Sequence, residues 1–177
     1  MYKVIILNGK GASGKDTLVD FVRKYDRALF DKERIAHTSM VNRVKDIAMR
    51  CGWNGGKDVA DRKFLYELKK LLGEYNDLPY QSVVSFINCF NGFPNVKYIF
   101  VDAREAKDID RLKENYNCIT VLVIRGDSIE MLGNPADDSV YDYTYDYVIE
   151  NSGTLEDYEE TCKTFWNEII NRESEDA

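Results

Sequence analysis

The chain has 177 residues, 44% of them hydrophobic and 31% charged, with a formal net charge of −7. That length supplies a core for one domain without requiring a second. The acidic balance argues against a nucleic-acid backbone as partner, because such a partner needs a clustered basic face. No apolar run reaches the ~20 residues of a membrane-spanning helix, and the run after Lys3 is too short for the core of a secretory signal. A single cytoplasmic domain over 1–177 with no membrane partner is the expectation. Cys51, Cys89, Cys118 and Cys162 stand far apart without a C-x-x-C pair, so neither a zinc site nor a disulfide framework is indicated. All four have apolar neighbours and are read as reduced core residues.

Val4-Ile5-Ile6-Leu7 reads as a buried strand that breaks at Asn8-Gly9. The loop that follows carries Gly9, Gly11, Ala12, Ser13 and Gly14, and after Lys15 the pattern turns helical, with Leu18, Phe21, Val22 and Tyr25 at i, i+3, i+4, i+7. Gly9-x-x-x-x-Gly14-Lys15 is the spacing of a phosphate-binding loop. Glycines let the backbone curl so that successive N–H groups point at phosphate oxygens. The helix start adds its positive end, and Lys15 supplies a charge for the β- and γ-phosphates. Where the usual pattern places Ser or Thr after the lysine, this chain has Asp16 and then Thr17. A carboxylate is a hard oxygen ligand for Mg²⁺ or its waters, so Asp16 and Thr17 are candidate metal residues.

Arg34 to Thr38, ending at Ser39, reads as a second strand; His37, the only histidine, is read as a packed residue without a role. Three helices are predicted next: Met40–Trp53, Val59–Glu74 with Phe64, Leu65, Leu68, Leu71 and Leu72 inside and Lys69 outside, and a third from Asp77 to Asn91. This insertion, about 40–92, is rich in Lys and Arg and suits a second anionic ligand. Lys97 to Val101 is a third strand ending in Asp102-Ala103-Arg104. A strand that ends in Asp is where phosphate-loop proteins place a carboxylate for Mg²⁺; the competing role for Asp102 is capping the next helix. Arg104 would enter the crevice at the carboxyl edge of the sheet. The strand Cys118 to Ile124 ends at Arg125, a lid-like loop covers about 126–144, and Tyr145 to Asn151 is the last strand. Thr154 with Asp157 caps the C-terminal helix. Strands alternating with helices give an open parallel α/β sheet of about five strands with helices on both faces.

Ser13-Gly14-Lys15-Asp16-Thr17 resembles the loop of phage-type deoxynucleoside monophosphate kinases, and the whole order of elements resembles the phosphate-loop nucleoside monophosphate kinase family. Animal-type phosphomevalonate kinases share the S-G-K-D part, and the closing YDYVIENSGTLEDY resembles the end of dephospho-CoA kinases. The resemblance implies arginines on the insertion and after the third strand that grip the acceptor phosphate, here Arg43 or Arg62 and then Arg104. It also implies an arginine that acts on the transferred group, by position Arg125. The resulting expectation is ATP- and Mg²⁺-dependent phosphoryl transfer to a nucleoside or deoxynucleoside monophosphate, with small-molecule nucleotides as the partners. Lys15, Arg104 and Arg125 are its catalytic candidates, and Asp16, Thr17 and Asp102 its metal residues. A kinase of another phosphorylated metabolite, such as dephospho-CoA or phosphomevalonate, stays open, as does a nucleotide-binding switch without transfer.

Overall fold

The computed structural model describes residues 2–30, 32–126 and 140–175. Among these, five strands form one parallel sheet in the order β2-β3-β1-β4-β5. They are β1 (Lys3–Asn8), β2 (Ile35–Ser39), β3 (Tyr98–Asp102), β4 (Cys118–Arg125) and β5 (Tyr147–Asn151). The helices are α1 (Lys15–Phe30), α2 (Asn42–Arg50), α3 (Val59–Asn76), α4 (Leu78–Cys89), α5 (Ala106–Asn115) and α6 (Leu155–Glu175). Each predicted apolar run is a strand, and the three predicted insertion helices are α2, α3 and α4. Most of the lid-like loop expected at about 126–144 lies outside the described residues.

Successive strand residues point to opposite faces, and both faces are covered. On one, Ile5, Leu7, Tyr98, Phe100, Val121 and Val123 pack against Leu18, Val19 and Val22 of α1 and Tyr158, Phe165 and Trp166 of α6. On the other, Val4, Ile6, Ile99 and Val101 meet Tyr80, Val83 and Ile87 of α4 and Ile109 and Leu112 of α5. Two-sided burial is why the strands read as continuous apolar runs and not as alternation. Parallel pairing then brings every carboxyl end to one edge: Asp102 lies opposite both Leu7 and Ser39, and Arg125 opposite Asn151. Thr154 and Asp157 make the expected reciprocal cap, each backbone N–H donating to the other's side chain (2.9 and 3.2 Å). No helix among the described residues is long and apolar enough to cross a membrane.

Two expectations need correction. Helix α3 buries none of its residues fully, and Phe64 and Leu71 are exposed. It packs mainly on α2 and α4, so its apolar stripe meets other helices and not the sheet. Lys69, expected outside, turns inward: its Nζ donates to Glu105 Oε1 at 2.5 Å and lies 3.8 Å from Asp108 Oδ2. The second correction concerns the cysteines, all of which are free. Cys162 is buried and Cys118 half-buried, but Cys51 and Cys89 are exposed. Each of the exposed pair stands at the C-terminal end of its helix, where the chain runs off the core.

The Lys69–Glu105 pair ties the insertion to the turn after β3. Burial pushes the Glu105 carboxyl up, but the hydrogen bond and charge of Lys69 outweigh it and hold the group below its ordinary value. A depressed acid contributes stability above the unfolded value of about 4.3, and that contribution disappears as pH falls through the folded value. Glu105→Gln is therefore expected to lower stability by about 1 kcal/mol at pH 7. The gap between the urea midpoints of the two proteins should narrow as pH falls below the unfolded value of about 4.3 and close below the folded one; a gap that does not change with pH would contradict this.

Candidate active site

The loop between β1 and α1 has little room for side chains. Gly9 (φ +146°) would place a Cβ 2.4 Å from the Val123 carbonyl oxygen, and Gly14 (φ +104°) one 2.5 Å from Asn151 Nδ2. The loop is clamped by the end of β5 and by α6, which shares a sheet face with α1. Asn151 Nδ2 donates to the Ser13 carbonyl at 2.9 Å, and the Tyr158 hydroxyl donates to the Gly14 carbonyl at 3.0 Å. Lys15 Nζ lies over the loop, donating to the Gly9 and Lys10 carbonyls at 2.7 and 3.0 Å and to Ser13 Oγ at 3.3 Å. Gly14→Ala combines a left-handed backbone with a clash against that clamp. It is expected to cost about 1–3 kcal/mol of stability and to weaken ATP binding, checked by urea unfolding and a fluorescent ATP analogue.

Asn8, buried at the end of β1, links the loop to the turn after β3. Its Oδ1 accepts from the Gly9 N–H at 2.8 Å, while Nδ2 donates to the Arg104 carbonyl at 3.1 Å and to the Tyr145 hydroxyl at 2.7 Å. That hydroxyl in turn donates to the Val140 carbonyl at 2.8 Å. Burial pushes the Tyr145 phenol up to about 12, outweighing the opposing Asn8 bond, so it keeps the proton it donates. Sequence reasoning missed Asn8, Tyr145, Asn151 and Tyr158. Asn8 was the legible one, a polar residue closing an otherwise apolar strand.

Asp102 does not cap α5; the N-cap is Glu105. Its Oδ2 lies 3.1 Å from His37 Nε2, and its Oδ1 is buried with no hydrogen-bonding partner among the described residues. His37, which the sequence left without a role, faces the site. Ile35 and His37 of β2 pair with Tyr98 and Phe100 of β3, on the sheet face that α1 covers. Asp102, two residues beyond Phe100, falls on the same face, where α1 begins with Lys15 and Asp16. Asp16, His37 and Asp102 each offer a ligand atom, all within 4.8 Å of one another. Thr17 is half-buried on the first turn of α1.

The arginines are spread around this edge. Arg104 is half-buried just past β3, and Arg125 is exposed at the end of β4. Arg43 on α2 is half exposed with Nη1 3.8 Å from Asp46, and Arg62 on the first turn of α3 donates from Nε to the Lys57 carbonyl at 2.9 Å. The structure thus brings the Asp16 carboxylate, one residue after Lys15, within 4.8 Å of Asp102 and ties the Arg104 backbone to the loop through Asn8, with Arg43 and Arg62 on the insertion.

No protein-family model matches the chain, and no curated protein matches it in sequence. Among solved structures it is similar to dephospho-CoA kinase from Campylobacter jejuni at 12% identity, covering 94% of this chain and 97% of that one with a TM-score of 0.51. The fold is that of the phosphate-loop kinases. A thymidylate kinase from Ehrlichia chaffeensis matches at 14% identity over 93% of this chain and 100% of that one, with a TM-score of 0.48. At such identities the likeness extends to the arrangement of strands and helices and not to a substrate.

Proposed function

We propose that the chain transfers the γ-phosphoryl group of ATP to a nucleoside or deoxynucleoside monophosphate. The observation that carries this reading is a glycine-bounded loop with the Lys15 ammonium folded over it and, where the next helix begins, the Asp16 carboxylate within 4.8 Å of that of Asp102. The S-G-K-D-T loop and its resemblance to phage-type enzymes support the choice of acceptor. Phosphoryl transfer asks little covalent work of a protein; it needs two anions aligned and the migrating charge neutralised. In the reaction an acceptor phosphate oxygen attacks the γ-phosphorus, and the bond to the β–γ bridging oxygen breaks. The three hydrogen bonds that Lys15 now makes to its own loop are replaced by bonds to β- and γ-oxygens, so its charge follows the charge that develops. Arg104, with Arg43 or Arg62, holds the acceptor phosphate, bidentate guanidinium being better matched to phosphate than ammonium. Arg125 meets the transferred group.

The unpartnered Asp102 Oδ1 and the neighbouring Asp16 form an oxygen donor set that fits Mg²⁺. Asp16, Thr17 and Asp102 would hold the ion or its waters, and bound with ATP it neutralises phosphate charge.

The test follows ADP release from Mg-ATP over a panel of ribo- and deoxynucleoside monophosphates, with dephospho-CoA and phosphomevalonate included. Turnover with one or a few monophosphates is expected. Arg104→Ala should lower kcat/KM for the acceptor by about 10- to 100-fold, the loss of one charge-assisted contact. ATP binding without acceptor-dependent turnover would retire the reading.

A further inference from the structure

The third member of the cluster at the sheet edge fits a nucleotide-borne Mg²⁺ poorly. Mg²⁺ takes oxygen ligands and dehydrates reluctantly, whereas His37 presents an imidazole nitrogen 3.1 Å from Asp102 Oδ2. Two ligands that occupy adjacent corners of an octahedron with bonds of about 2.1–2.2 Å are separated by about 3.0–3.1 Å, and opposite corners by about 4.2–4.4 Å. The His37–Asp102 distance matches an adjacent pair, and the limit of 4.8 Å across Asp16, His37 and Asp102 lies slightly beyond an opposite pair, a gap that a small rotation of the exposed Asp16 side chain closes. The three residues come from three separate elements, α1, β2 and the end of β3. Asp102 Oδ1, buried and without a partner among the described residues, is the second sign that a ligand belongs there, because a buried carboxylate oxygen left unpaired is costly.

We propose that the nucleotide-free protein holds one divalent transition-metal ion of the Mn²⁺ or Co²⁺ class, ligated directly by His37 Nε2, Asp102 and Asp16. Imidazole suits borderline ions, and carboxylates admit Mn²⁺ at the harder end of that series. This site shares two carboxylates with the proposed transfer centre but needs neither ATP nor an acceptor, so the protein carries its metal before nucleotide arrives. Mg²⁺, which gains nothing from the imidazole, competes for it weakly.

His37 is the only histidine in the chain, which makes the ligand traceable. Untagged protein is prepared with [15N]histidine, freed of nucleotide and titrated with Mn²⁺. Electron paramagnetic resonance counts the bound ion, and electron-spin-echo modulation reads coupling to the labelled nitrogen. One Mn²⁺ with directly coordinated nitrogen is expected, retained in a tenfold excess of Mg²⁺. His37→Ala should weaken it by about tenfold or more. Mn²⁺ bound without nitrogen coupling would mean that His37 only orients Asp102, and would overturn the proposal; so would the absence of bound Mn²⁺ or its full displacement by Mg²⁺. The coupling is read on the natural sequence, so misfolding of the variant leaves the test intact. Acceptor-dependent turnover of the natural protein with Mg-ATP is measured separately. Turnover without nitrogen coupling sinks this inference alone, and coupling without turnover sinks only the kinase reading.

Discussion

Lys15→Ala is expected to lower turnover by about 10²- to 10³-fold, the effect of deleting one preorganised donor to a developing oxyanion, with little change in the urea midpoint. The asymmetry follows from the geometry. The ammonium donates to three acceptors in its own loop, at 2.7, 3.0 and 3.3 Å, but Lys15 is only half-buried, and water replaces those bonds cheaply. The loop itself is held by Asn8, Asn151 and Tyr158, which the substitution leaves in place. In the transition state no water replaces the ammonium, because the charge it meets is on the transferring group. Lys15→Arg is expected to recover little. The guanidinium is a wide planar fork, not a point charge, and the carbonyls of Gly9 and Lys10 leave a pocket for a single ammonium. The measurement pairs steady-state ADP release with urea unfolding. A large drop in midpoint for Lys15→Ala would show that the side chain holds the loop in shape.

The sequence and the fold agree where burial is two-sided. The central strands were readable because both faces are covered and the run is continuous, and Gly9 and Gly14 were readable because only glycine tolerates their positive φ and the 2.4 and 2.5 Å approaches. The candidate site was legible where a phosphate-loop spacing or a strand end marks it, at Lys15, Asp16, Asp102 and Arg104. It was not legible where the decisive neighbour lies far along the chain. His37 reads as a core residue until β2 is laid beside β3, when a face shared with Asp102 becomes visible. Tyr158 reads as an apolar position of α6, and its hydroxyl gains meaning only from the Gly14 carbonyl 144 residues away in sequence. Helix α3 misled for the opposite reason. Its period is that of a core helix, but nothing in the period says that the surface it meets is chiefly that of α2 and α4.

The largest expected loss of stability is at Trp166. The side chain is fully buried, its ring centroid 4.5 Å from that of Tyr98 at 70° and 6.1 Å from that of Phe100. It therefore fastens the middle of α6 to β3, next to the central strand β1. Trp166→Ala is expected to cost about 3–5 kcal/mol, the transfer term of the indole plus the cavity left among rigid strands. Domains of this size are stable by only about 5–15 kcal/mol, so urea unfolding should show a midpoint shifted far enough to be plain without fitting. The same helix carries Tyr158, whose hydroxyl holds Gly14 at 3.0 Å. Loosening α6 thus reaches the phosphate loop, and ATP affinity should fall in Trp166→Ala even under conditions where the protein is still folded. Tyr158→Phe separates the two effects. It removes only the hydroxyl contact, at about 1 kcal/mol, and keeps the aromatic packing against Phe21. If Trp166→Ala loses ATP affinity and Tyr158→Phe loses part of it without the large stability cost, the core and the loop are coupled through α6. If Tyr158→Phe binds ATP as tightly as the natural protein, the helix supports the sheet alone and the loop keeps its shape through Asn8 and Asn151.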